Sequence, residues 1–145
     1  MMRRRGFRNP SSPCHAHFMS DFPHATFRIE TAPGKRLGPG KVRLLELVGK
    51  TGSISAAARA MEMSYRRAWL LIEESNGLFA APLVESSTGG AGGGGARLTH
   101  LGEAVIAAYR GIEKEAADMV TRRLAKFPGV AVSRSSANVR RSKRP

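Results

Sequence analysis

Ser53-Ile54-Ser55-Ala56-Ala57-Ala58-Arg59-Ala60-Met61-Glu62-Met63-Ser64-Tyr65-Arg66-Arg67-Ala68-Trp69-Leu70-Leu71-Ile72-Glu73-Glu74-Ser75-Asn76 is the stretch on which the fold turns. Ser53 offers a side-chain oxygen as a helix N-cap. Ile54, Ala57, Ala58 and Met61 follow at i, i+3, i+4, i+7 spacing, one face of a helix. After Glu62-Met63, Ser64 offers a second cap, and a second amphipathic run reaches Asn76. Its inward stripe reads as Tyr65, Ala68, Trp69 and Ile72, with Arg66, Arg67, Leu70, Glu73 and Glu74 opposite. A short helix, a brief turn and a second helix with a polar outer face make the pattern of a helix-turn-helix. Ala56-Ala57-Ala58 permits the close crossing that this pattern needs, and Met61 falls beneath the turn.

Upstream, Val42, Leu45 and Val48 share one stripe of a helix over Lys41–Lys50, with Leu44 and Leu47 beside it and Gly49 and Gly52 to end it. Gly38-Pro39-Gly40 and Pro33-Gly34 mark turns. Ala25 to Thr31 alternates as a short strand. Downstream, Pro82–Ser86 and Ala96-Arg97-Leu98 read as paired strands around a glycine-rich loop, 87–95. Thr99 then caps a long helix, with Glu103 favourably placed near its N-terminal end. In that helix Leu101, Val105, Ala108, Ile112, Ala116 and Met119 form an apolar stripe that calls for a partner, and a second copy is the economical choice. The fold class expected is mainly α (α+β): a winged helix-turn-helix with a short N-terminal strand, a two-stranded wing and a long C-terminal dimerisation helix.

At 145 residues and 41% hydrophobic, the chain can build one core. Its net charge of +13 points to a polyanionic partner. Between Ala25 and Ala125, 14 Lys and Arg stand against 10 Asp and Glu, a net of +4; outside that span 10 basic residues stand against Asp21 alone. The excess therefore sits in two tails, and the division expected is a disordered basic extension over 1–24, a folded domain over 25–125 and a disordered basic tail over 126–145. Met19 is the expected natural start. No apolar stretch follows Met1-Met2-Arg3-Arg4-Arg5 to make a signal peptide, and no run approaches the ~18 apolar residues of a membrane span. With Cys14 as the single cysteine, a soluble protein of the reducing cytoplasm is expected.

Enzyme chemistry is not indicated. His100 is the only histidine of the folded body, and no nucleophile–base arrangement or apolar carboxylate pair accompanies it. Cys14, His15, His17 and His24 fit no standard zinc spacing, so no metal and no cofactor is expected. Neither tail forms a basic amphipathic helix with bulky apolar residues, which argues against a membrane partner.

The remaining polyanion is nucleic acid. Arg66 and Arg67 lie in the first turn of the second helix, where an arginine donates bidentately to guanine O6 and N7 or holds a phosphate. Tyr65 and Trp69 share the spacing of Ala68 and Ile72 and are read as core rather than as base-stacking aromatics. The loop Ser87 to Gly95 has no lysine of a nucleotide-binding loop and reads as a wing, its bare backbone able to approach phosphates.

Four segments together resemble the N-terminal DNA-binding domain of the ModE family of molybdate-responsive regulators, itself akin to the LysR-type winged helix. They are Gly52-Ser53-Ile54-Ser55-Ala56-Ala57-Ala58, Met63-Ser64-Tyr65-Arg66-Arg67-Ala68-Trp69, Leu83-Val84-Glu85-Ser86-Ser87-Thr88-Gly89-Gly90 and Gly92-Gly93-Gly94-Gly95-Ala96-Arg97-Leu98-Thr99. The resemblance covers residues 27 to 120 and implies a homodimeric transcriptional regulator of double-stranded DNA. It would contact DNA through Ser53, Ser55, Ser64, Tyr65, Arg66, Arg67, Thr88, Gly89, Gly90 and Arg97, and would be linked to molybdenum or tungsten metabolism. Glu62 departs from the family, which usually has glycine at that turn; a left-handed residue there would cost ~1 kcal/mol. No ligand domain is seen after Lys126, so DNA binding is carried over but molybdate sensing is not, and a separate effector-binding partner stays open. The alternative is a non-specific nucleoid-associated or RNA-binding protein, which the basic tails favour.

Overall fold

The computed structural model describes residues 25–87 and 95–129. In chain order the elements are β1 (Ile29–Ala32), β2 (Lys35–Leu37), α1 (Pro39–Thr51), α2 (Ile54–Ala60), α3 (Tyr65–Asn76), β3 (Val84–Ser87), β4 (Gly95–Leu98) and α4 (His100–Leu124). Residues 1–24, with Met19 and the group Cys14, His15, His17 and His24, lie outside the described residues, as do 130–145 of the C-terminal tail and Thr88, Gly89 and Gly90 of the loop. The order is that of a winged helix-turn-helix with a long C-terminal helix, mainly α with two antiparallel strand pairs.

The N-terminal strand is not alone. β1 begins at Ile29 rather than Ala25 and pairs with β2, Ile29 opposite Leu37 and Glu30 opposite Arg36. Pro33-Gly34 makes the turn, with Gly34 at φ 75°, and Arg36 Nε donates to Glu30 Oε1 across the pair at 2.8 Å. α1 follows directly, with Pro39 in its first turn, where the missing N–H is not needed. Gly49, expected to help end this helix, lies inside it. A Cβ there would stand 2.5 Å from Leu98 Cδ1, so its smallness serves the docking of β4. The end comes at Gly52, left-handed at φ 67°, whose N–H donates to Val48 O at 2.8 Å.

One core gathers Leu44, Leu45 and Val48 of α1, Ala57 and Ala58 of α2, Ala68 and Ile72 of α3, and the wing residues Leu83, Val84 and Ala96. A second gathers Leu37, Val42, Leu78 and Tyr109, with Phe27 and Ile29 packed against it. Tyr109 is its hub. The ring stacks on Phe27 at 4.9 Å between centroids, and the hydroxyl donates to Phe27 O at 2.9 Å.

These contacts orient α4, and they divide its expected apolar stripe. Leu101 and Val105 pack on the core of their own chain, whereas Ile112 and Met119, 45% and 50% exposed, face outward. Arg110 ties the helix to α1: Nε and Nη2 donate to the two carboxylate oxygens of Glu46 at 2.7 and 2.8 Å, and Nη1 donates to Glu113. The Glu46 hydrogen bond, chief among the causes, raises the Arg110 guanidinium still further above its ordinary range. Among the described residues, no helix is long and apolar enough to cross a membrane.

The turn of the helix-turn-helix is a Schellman motif. Glu62 N–H donates to Arg59 O and Met63 N–H to Ala58 O, each near 3 Å (3.1 and 3.0 Å). Glu62 occupies the left-handed position at φ 54°, as the comparison with the glycine usual there anticipates. Glu62→Gly should therefore raise stability by about 0.5–1 kcal/mol in urea unfolding, the relief of strain exceeding the added freedom of the unfolded chain. A lower midpoint than wild type would show that the glutamate side chain contributes more than the strain costs.

Candidate nucleic-acid interface

Two serines set the angle at which the helices meet the solvent. Ser53 Oγ accepts from Ala56 N, and Ser64 Oγ accepts from Arg67 N, both at 3.2 Å. Each cap satisfies an N–H with no partner inside its helix and fixes where that helix begins. Ala57, Ala58 and Ala68 are fully buried at the crossing, so α3 lies close on α2 and turns its other side outward.

That outward side differs from expectation at two residues. Tyr65 and Trp69 are not core: they are 54% and 44% exposed. The buried arc of α3 is Ala68, Ile72 and Ser75, and Leu71, also packed against the core, lies on its far edge. Tyr65 and Trp69 fall on the near edge, over a groove between the helix-turn-helix and the wing. This groove, about 290 Å³, is lined by Ser53, Ile54 and Ser55 at the start of α2, Tyr65 and Trp69 of α3, and Ser86, Ser87 and Gly95 of the wing. Three of the expected site residues, Ser53, Ser55 and Tyr65, are thus brought together. Arg66 and Arg67 are exposed in the first turn of α3 immediately beside them.

The wing is locked to α3 by a residue that the sequence reading passed over. Asn76, the last residue of α3, accepts from Leu83 N at 2.9 Å and Val84 N at 3.0 Å through Oδ1. Its Nδ2 donates to Val84 O at 3.1 Å. Thr99 closes the other end of the hairpin: Oγ1 accepts from Gly102 N at 3.0 Å while donating to Pro82 O at 2.8 Å. β3 and β4 then pair in register from Val84 opposite Leu98 to Ser87 opposite Gly95. Asn76→Ala strands two backbone N–H groups at once and should cost about 2–3 kcal/mol in thermal or urea unfolding. Asn76→Asp keeps the acceptor and should lose less; equal losses would show that the Nδ2 bond to Val84 dominates.

Arg97 stands apart from the other site residues. Its Nη2 donates to Glu85 Oε2 at 3.2 Å across the wing, and it lines a second open groove, of about 570 Å³, with Glu46, Lys50 and Glu103 between α1 and α4. On the far side of α3, Glu74 is paired with Lys41 at 2.9 Å. Among the described residues no group of three or more His, Cys, Asp or Glu is placed to hold a metal ion.

A capped pair of helices crossing on alanines, with two exposed arginines in the first turn of the second helix beside a two-stranded hairpin, defines a DNA-binding domain of the winged helix-turn-helix class. Residues 40–103 match the bacterial regulatory helix-turn-helix proteins of the lysR family. The chain is 49% identical over 88 residues to the molybdenum-pterin-binding protein MopB of Rhodobacter capsulatus, covering 61% of this chain and 33% of that protein. It is 38% identical over 108 residues to the molybdenum transport protein ModE of Azotobacter vinelandii, covering 72% and 40% respectively. Against the DNA-binding transcriptional dual regulator ModE of Escherichia coli K12 it is 45% identical over 71 residues, covering 49% and 27%. The chain therefore spans between about a quarter and two fifths of the length of the curated relatives it matches.

Proposed function

We propose that the protein is a homodimeric, sequence-specific transcriptional regulator that acts in the cytoplasm on double-stranded DNA and serves genes linked to molybdenum or tungsten metabolism. The observation that carries the reading is the exposed first turn of α3, with Arg66 and Arg67, in a lysR-type helix-turn-helix domain. In this reading α3 enters the major groove and Arg66 donates to guanine O6 and N7. Arg67, Ser53, Ser55, Ser64 and Tyr65 hold the flanking backbone. Thr88, Gly89 and Gly90 reach the adjacent phosphates, and Arg97 joins them by exchanging Glu85 for a phosphate.

The dimer would form through the outward part of α4, where Ala108, Ile112, Ala116 and Met119 offer apolar surface with no partner in the chain's own core. The link to molybdenum rests on the names that the relatives carry.

Selection of genomic DNA fragments by the purified protein at near-physiological salt, with and without molybdate, tests the whole reading. A palindrome with half-sites about one helical turn or a multiple apart is the expected product. Recovery of random fragments, with affinity collapsing as salt rises, would instead make it a non-specific nucleoid protein.

A further inference from the structure

The described residues expose six large hydrophobics, and three of them, Tyr65, Trp69 and Leu70, lie on the first half of α3. Ile112, Met119 and Phe127 make up the rest and belong to α4 or the segment after it. Apolar exposure on α3 is thus concentrated rather than scattered, which marks a contact surface. Tyr65 and Trp69 line the groove towards the wing. Leu70 does not. It is 46% exposed, and its neighbour Leu71 is the one that packs on the core.

Leu70 lies four residues after Arg66 and three before Glu73, so the three share the outermost ridge of the helix. A leucine flanked on one ridge by an arginine and a glutamate gains nothing from phosphate, which is charged and hydrated. Of the groups that a duplex presents in its major groove, one is apolar: the C5-methyl of thymine. The ridge therefore pairs a guanine reader with a methyl reader about 6 Å further along the helix axis, within about two base steps. We infer that Leu70 is a specificity-determining residue that reads a thymine methyl group beside the guanine taken by Arg66. The inference rests on the proposed function, since it requires α3 to face the floor of the major groove.

The test replaces thymine by uracil, one position at a time, in the operator recovered by DNA selection, which removes a methyl group and nothing else. Wild-type protein should lose about fourfold in affinity at one thymine per half-site, the burial of a single methyl. Leu70→Ala should bind the thymine operator more weakly by a similar or larger factor and be indifferent to uracil at that same position. Because Leu70 is exposed and outside both cores, the variant keeps the fold, and the nucleic-acid substitution leaves the protein untouched. If wild type still distinguishes operator from random duplex but tolerates uracil everywhere, the inference falls and the proposed function stands. If uracil sensitivity persists unchanged in Leu70→Ala, another side chain reads the methyl and the inference falls. Loss of all discrimination between operator and random duplex overturns both.

Discussion

Tyr109→Ala should destabilise the domain by about 3–5 kcal/mol, lowering the unfolding midpoint by more than 10 °C on the scale of about 4–8 °C per kcal/mol for a domain of this size. The ring is 1% exposed and is the hub of the second core, so its removal leaves a cavity bounded by Leu37, Val42 and Leu78. It also frees the Phe27 carbonyl. Tyr109→Phe keeps the stack on Phe27 and should cost only about 1 kcal/mol, the loss of one hydrogen bond. A loss below 1 kcal/mol in the alanine variant would show that the β1–β2 hairpin is not held by this side chain.

Burial, and next the charge of Glu113, push the Tyr109 phenol above its ordinary range. A raised value in the folded state gives a stabilisation that is complete below the unfolded pKa, about 10, and is lost as pH rises through the folded one. Wild type should therefore lose more stability than Tyr109→Phe between about pH 9 and 12. Parallel curves would remove the phenol from the alkaline transition.

Arg66→Ala should reduce discrimination between operator and random duplex by about 5–150-fold, the ~1–3 kcal/mol of a bidentate guanine contact. Arg67 lies off the ridge that Arg66 shares with Leu70 and Glu73. Arg67→Ala should weaken both duplexes alike and reduce the slope of log affinity against log salt by about one. Competition binding at two salt concentrations separates these outcomes. Uniform weakening by both variants would place Arg66 on a phosphate and favour the non-specific protein.

What could be read from the chain alone was local chemistry. Ser53, Ser64 and Thr99 announce helix starts because the capping oxygen and the N–H that it meets lie three residues apart, and all three caps form. β2 escaped because three residues cannot display an alternation. Tyr65 and Trp69 were assigned to the core because their spacing with Ala68 and Ile72 is ideal for one face. Periodicity gives the centre of an apolar arc, but not how far its edges are covered, and here the short α2 leaves one edge open towards the wing.

Tyr109 was missed for a related reason. A stripe drawn through Ala108 and Ile112 runs beside the line Leu101, Val105, Tyr109 that packs inward, and only the position of β1 decides between them. Asn76 carries no signal of its own, since its three hydrogen bonds go to the backbone of Leu83 and Val84, seven and eight residues on.

The Asn76 clasp has a further consequence for how a duplex is chosen. With the end of α3 joined by one amide to the start of β3, the distance between the probing helix and the wing root is fixed before DNA arrives. The protein then acts as a calliper of set opening. Sequences whose grooves already match that span are bound without deformation, and stiffer or wider ones must be bent to fit, at a cost that depends on bases no side chain touches.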